Sequence, residues 1–392
     1  SRYNAIHISK QIIPIINTLT DAGLLDVAKG SYSGPYSKGN RTTRIRASSV
    51  LQGWFGELGS DRDDVTRVVG EEIIILREAA ERHPVEYEDD ENTTRMRQEL
   101  AEYNAIISGA FVDIPTLEQP KIDDVTTDHH HKLTRRIFSR ADWACNGRFY
   151  GGWWQQIDSG WRSKIFINDT PVVEVDFRSL HVTLLSIQAG AKLDGDPYEM
   201  PAGILGAVPP ALQRRLVKQL VLTAINAGSK DAAYRGFRDG FPAGHMGKTL
   251  TNVQLDRLLD AFLEKSPHME EMLFKDHGIR LMNLDGRITE RVHRHFSNRG
   301  IPVLSVHDSY IIDYTRVREL KTAMTVASRL EVGVDLATAN TLFGLDEQTA
   351  LGPEKLLDYV TWRQTARCKG YLERMAAHEA RTGQEVVSYR AP

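Results

Sequence analysis

Hydrophobic positions along this chain follow two periods, and the change from one to the other falls at a carboxylate. In Thr170–Leu185, Val172, Val173 and Val175 favour a pleated backbone, and Pro171 sits at an edge where its missing N–H does least harm. Period-2 alternation puts Glu174 and Asp176 on one face. Leu180, Leu184 and Leu185 then repeat at helical spacing, so Asp176 is predicted to stand where a buried strand turns into a helix.

Elsewhere the pattern predicts further elements in order. Ile12, Ile13, Ile15, Ile16 and Leu19 give a helix an apolar stripe with Pro14 in its first turn, and Gly23 ends it. Leu24–Val27 reads as a short strand, Gly30–Asn40 as a polar loop, and Thr42–Arg46 as a returning strand. Residues 50–130 read as helical and charged, with Ile73, Ile74, Ile75 and Leu76 at mixed spacing and Leu100, Tyr103, Ile106 and Ile107 on a helical face; Pro115–Asp128 reads as a loop. His129, His130 and His131 are consecutive, point apart on a helix, and are expected on exposed polar surface. Gln213–Asn226 is predicted helical, as is much of 250–298. Ile301–Ile312 reads strand, tight turn, strand, with His307-Asp308 at the tip. The last forty residues, with Arg363, Arg367, Lys369 and Arg374, read as a helical, partly basic tail.

Composition adds boundaries. The chain has 392 residues, 41% hydrophobic and 26% charged, enough for two or three domains. No apolar run approaches the roughly 20 residues of a membrane span, and Ser1 opens no signal-peptide pattern. Cys145 and Cys368 offer neither a disulfide framework nor zinc spacing, so a cytoplasmic location is expected. Net charge is −3, yet basic residues collect at Lys132–Arg148, Arg214–Lys218 and Arg287–Arg299, which suggests a polyanion track.

Candidate chemistry lies in four stretches. In Asp142–Gln156, glycines at 147, 151 and 152 allow close backbone approach, and Arg148, Tyr150, Trp153, Trp154, Gln155 and Gln156 offer stacking and groove hydrogen bonds. Asp176 is a candidate cation ligand. Arg214, Lys218, Leu222 and Asn226 fall at i, i+4 steps on one helical face, where two cations, an apolar group and an amide suit a triphosphate, sugar and base. Asp308 is a second acidic point on a rigid hairpin. Asn283 and His307 join the candidate nucleic-acid contacts.

Together these stretches resemble the right-hand polymerase clan of family A DNA polymerases and phage-type single-subunit RNA polymerases. Asn146-Gly-Arg-Phe-Tyr150 looks like the motif that touches the template–primer duplex. Asp176-Phe-Arg-Ser-Leu-His181 and Val306-His-Asp-Ser309 look like the two palm motifs, and Arg214…Lys218…Asn226 looks like the fingers helix that grips the nucleotide. The likeness covers roughly residues 140–315. His181 stands where the DNA polymerases usually carry Glu, and Asn226 where both branches usually carry Tyr. The resemblance implies an α+β right-hand fold. Its parts would be a helical thumb-like region (51–139), a palm in two parts (140–200 and 299–350) with an antiparallel sheet, and helical fingers (201–298). A winged-helix-like module (1–50) would precede them and a helical tail (351–392) would follow. Helix, strand, loop, strand suits either DNA contact, through Arg44 and Arg46, or protein contact.

The expected activity is template-directed nucleotide addition to a 3′-hydroxyl. Asp176 and Asp308 would hold two Mg²⁺ ions about 4 Å apart, with Mn²⁺ as a substitute, and Arg214 and Lys218 would neutralise the triphosphate. The partners would be a DNA template, a primer or nascent strand and dNTPs or NTPs, with no membrane; a monomer is expected. A ring at His181 facing Asn226 would crowd a 2′-hydroxyl and favours DNA synthesis, whereas Asp142-Trp, Gly228-Ser-Lys and His-Asp-Ser lean toward an RNA polymerase or primase. A non-catalytic DNA-binding replication initiator is the alternative from another class.

Overall fold

In the computed structural model the described residues are 1–33, 40–59, 65, 70–80, 82–123, 125–340, 342, 344–347, 357, 361–362 and 364–387. They belong to two compact units, Ser1–Glu72 and Ile73–Pro392.

In the first unit, α1 (Ile12–Asp21) accommodates Pro14 in its first turn, where no intrahelical N–H is lost. Strands β1 (Leu25–Ala28) and β2 (Arg44–Ala47) pair antiparallel, Leu25 opposite Ala47 and Asp26 opposite Arg46. Helix α2 (Ser49–Glu57) follows, capped by the Ser48 hydroxyl, which accepts the Leu51 N–H. Neither helix buries a side chain.

The second unit is α+β and carries the core. Its elements in order are β3 (Ile74–Leu76), α3 (Glu91–Gly109), β4 (Val112–Asp113), a small hairpin β5–β6 (Lys121–Ile122, Val125–Thr126), β7 (Thr134–Ser139), β8 (Asp142–Gly151), α4 (Ser159–Arg162), β9 (Phe166–Ile167), β10 (Thr170–Phe177), α5 (Leu180–Gln188), α6 (Pro210–Asn226), α7 (Lys230–Asp239), α8 (Asn252–Lys265), α9 (Gly278–Ser297), β11 (Leu304–Val306), β12 (Ser309–Asp313), α10 (Val317–Val332), β13 (Thr338–Asn340) and α11 (Lys369–Thr382). One sheet runs β11-β12-β10-β9-β4, with β13 also on β10; a second runs β3-β7-β8. Central β10 buries Val173 and Val175 on the face opposite Glu174 and Asp176, as the alternation predicts, and buries Val172 as well.

Two expectations are corrected. Ile73–Leu76 is not helical: Ile74–Leu76 pairs parallel to β7 and is buried throughout, which explains apolar spacing that fits no helical face. His129 is not exposed. It is buried, stacked on Trp153 at 4.4 Å between ring centres, with Nδ1 3.1 Å from an Asp113 carboxylate oxygen. The C-terminal helix is tied to the rest of the unit: Arg374 reaches Asp113, and Arg367 and Tyr371 both reach Asp169. Arg363 lies outside the described residues.

Candidate active site

Two long-range strand pairings bring the carboxylates together. β10 and β12 are antiparallel with Asp176 opposite Ser309, and β11 and β12 close a hairpin whose two loop residues are His307 and Asp308. His307 takes a left-handed φ of +57°, which turns the chain in so short a loop. The Phe177 N–H donates to the Asp308 carbonyl at 3.3 Å, so the residue after one aspartate is hydrogen-bonded to the other. Asp176 is exposed and Asp308 half-buried at the same end of the sheet.

The acidic groups here differ in their neutralisation. Glu174 is held by Nε and Nη2 along one edge of the Arg162 guanidinium, at 3.0 Å each, and accepts the Ser309 hydroxyl at 2.7 Å. Among the described residues no ion pair joins a cation to Asp176 or Asp308. Partial burial and then the like charge of Asp308 push the Asp176 carboxyl above its ordinary range, while Lys218 pulls it down. Two carboxylates at one sheet end with no hydrogen-bonded cation are candidates to hold a divalent metal. Among the described residues no cluster of three or more His, Cys, Asp or Glu ligands occurs, so protein would supply few of the ligands, as Mg²⁺ favours beside substrate phosphates.

The α6 stripe faces away from the core. Leu216, Val217, Leu220, Val221, Ala224 and Ile225 are buried, leaving Arg214, Lys218, Leu222 and Asn226 along the opposite face. Arg214 is already paired with Asp196, whereas Lys218 is exposed and within the field of Asp176. Asn226 donates to the Leu222 carbonyl at 2.7 Å and packs on Gly278, where a Cβ would lie 1.7 Å from its amide oxygen.

Arg148 has a different environment from the one its motif predicts. Phe138 pairs with Asn146 and Ile137 with Arg148, so Gly147 bulges out with φ +84°. Gly147 can then approach α9, where a Cβ on Gly286 would stand 2.2 Å from the Gly147 carbonyl oxygen. Arg148 Nε donates to the Asp285 carboxylate, and its Nη2 meets His181 Nε2 at 3.3 Å. Asp285 is fully buried, and burial drives its carboxyl up against the pull of Arg148. Burial, then Arg148, lowers His181 to about 4 and keeps its ring neutral. Sequence reading missed Asp285 as a partner. The available signal is a carboxylate in the row Leu281, Asp285, Ile288, Val292, Phe296, which is otherwise apolar and buried.

The other predicted contacts are partly engaged within the protein. Tyr150 donates to the Asn146 side chain at 3.1 Å and stands edge-on to His307 at 5.6 Å. Asn283 donates to the Trp143 carbonyl at 2.9 Å. Gln155 donates to the Ser305 carbonyl at 2.8 Å and accepts the Gly151 N–H. Trp153 and Trp154 are buried, with Trp154 Nε1 donating to Ser305, and do not present faces for base stacking. Arg44 and Arg46 lie on β2 in the first unit, Arg46 paired with Asp26 at 2.9 Å. The basic stretches are likewise largely paired: Arg136 with Glu290, Arg287 and Arg291 with Glu331, Arg294 with Glu99.

No family model matches the chain, and no curated protein matches it. Among solved structures it is similar to the POL domain of Pol1 from M. smegmatis, solved in complex with a DNA primer-template and dNTP, at 11% identity and a TM-score of 0.33. The match covers 64% of this chain and 51% of that one, so the chain spans about half the length of that relative.

Proposed function

We propose that this chain is a template-directed nucleotidyltransferase that adds nucleotides to a 3′-hydroxyl, with Asp176 and Asp308 as its metal ligands. The observation that carries this is the meeting of Asp176 and Asp308, distant in sequence, at one sheet end with Lys218 in the field of Asp176. The motif resemblance supports the assignment, with β10–β12 in the place of the palm and α6 in that of the fingers.

Mg²⁺ held by Asp176 and Asp308 would neutralise the departing pyrophosphate and acidify the attacking hydroxyl. Lys218 binds the triphosphate as a mobile point charge. Arg214 can join it by exchanging Asp196 for phosphate, both partners being partly solvent-exposed. Arg162 removes Glu174 from competition for cations. By the motif resemblance His181, in the first turn of α5, would meet the nucleotide sugar, and we favour dNTPs because a ring there crowds a 2′-hydroxyl.

The deciding test is incorporation of labelled dNTPs and NTPs on defined templates with Mg²⁺, with and without primer. Incorporation by the wild type that disappears in Asp176→Ala and Asp308→Ala, with folding retained, is the expected result. DNA binding without incorporation under every condition would instead leave a non-catalytic initiator.

A further inference from the structure

We infer that buried Asp285 is a positioning residue for the nucleotide site: through Arg148 it holds His181 with Nε2 accepting and leaves Nδ1–H as an unmet donor beside the proposed reaction centre. This rests on the function proposed above.

The argument starts from donor counting. A guanidinium only donates, so the Arg148 Nη2–His181 Nε2 contact at 3.3 Å makes Nε2 the acceptor. A neutral imidazole then carries its proton on Nδ1. That nitrogen is buried and has no hydrogen-bond partner in the protein. An unsatisfied buried donor is unfavourable, and a substrate acceptor would recover that loss on binding. His181 opens α5 directly beyond Asp176 and lies in the field of Asp308, so the donor sits beside the proposed reaction centre.

Asp285 is what makes the contact rigid. Its carboxylate takes Arg148 Nε, and Arg148 is anchored at the bulge where Gly147 and Gly286 bring β8 and α9 into close approach. A planar guanidinium tied at Nε by a carboxylate can point its neighbouring Nη2 in few other directions. The remaining Asp285 oxygen is buried without a partner, so the carboxylate serves Arg148.

The test reads the tautomer directly, in the full chain. Imidazole ¹⁵N resonances, with His181 assigned through His181→Gln, are expected to report Nδ1–H in the wild type. Asp285→Ala should convert His181 to a mixture of tautomers. Arg148→Lys, which keeps a cation beside Asp285 but loses the planar fork, should do the same if the first variant fails to fold. In incorporation assays either variant should raise KM for the nucleotide and reduce dNTP-over-NTP discrimination about tenfold, with kcat changed less. His181 remaining Nδ1–H in both variants, or being Nε2–H in the wild type, overturns the inference. A tautomer that depends on Asp285 in a protein that incorporates no nucleotide supports the positioning and overturns the polymerase reading instead.

Discussion

Asp176 lies in the field of Asp308 without a hydrogen-bonded cation, and that imbalance can be measured. In the metal-free protein the Asp176 carboxyl should titrate above the ordinary carboxylate value of about 3.9, seen by carboxyl ¹³C NMR. The sign is set by the folded state, which binds this proton more tightly than the unfolded chain does. Ionised Asp176 therefore opposes folding at neutral pH, and the penalty disappears as pH falls through the raised value. Asp308→Asn removes the like charge and should move the titration down; Mg²⁺ should do the same. A titration that ignores both changes would separate the two aspartates. Alanine at either should remove several kcal/mol of transition-state stabilisation, about a thousandfold in rate, without lowering the unfolding midpoint. His181→Gly tests sugar exclusion, with greater ribonucleotide use expected in competition assays.

Helices and strands set where these groups stand. β10 is central, so Asp176 inherits rigidity from β12 on one edge and β13 on the other. The contact between β8 and α9 depends on two glycines that meet where a methyl group has no room. Gly286→Ala should force these elements apart and destabilise the protein by about 1–3 kcal/mol in urea titrations. The Arg148–Asp285 pair should loosen with it, so the His181 tautomer would become mixed in this variant too. A side chain accepted there at no cost to stability would mean the approach is looser than described.

For the molecule as a whole, α11 closes the second unit from the far end of the chain. Its Arg374 fork grips Asp113 at 2.7 and 3.1 Å, and Gly370 lies against the Glu118 carbonyl. Burial raises the Asp113 carboxyl, but His129 and Arg374 outweigh it and hold the group below its ordinary range. The folded state thus releases this proton more readily than the unfolded one. The stabilisation is full above the unfolded value of about 3.9 and is lost as pH falls toward the folded one. Arg374→Ala leaves a buried carboxylate short of its cation and should cost about 3–5 kcal/mol by denaturant unfolding. A loss under 1 kcal/mol would show the helix contributes little. Among the described residues no helix is long and apolar enough to cross a membrane.

Local periodicity determined a good deal by itself. Alternating valines were enough to predict β10, because a strand with one polar position in two has few other ways to bury its apolar set. The α6 stripe, the hairpin at His307-Asp308 and the helix through Met96–Ile107 follow from spacing in the same way. Spacing could not decide what depends on partners remote in sequence. Ile74–Leu76 became a strand because β7 lay open beside it, and His129 went inside because Asp113 and Trp153 were there to receive it. Arg148 looked like a free cation beside a glycine, and only packing of α9 on β8 gave it Asp285 and His181. A sequence fixes which groups can ionise, donate or bury themselves; the folded chain decides which of them are already satisfied and which are left for a ligand.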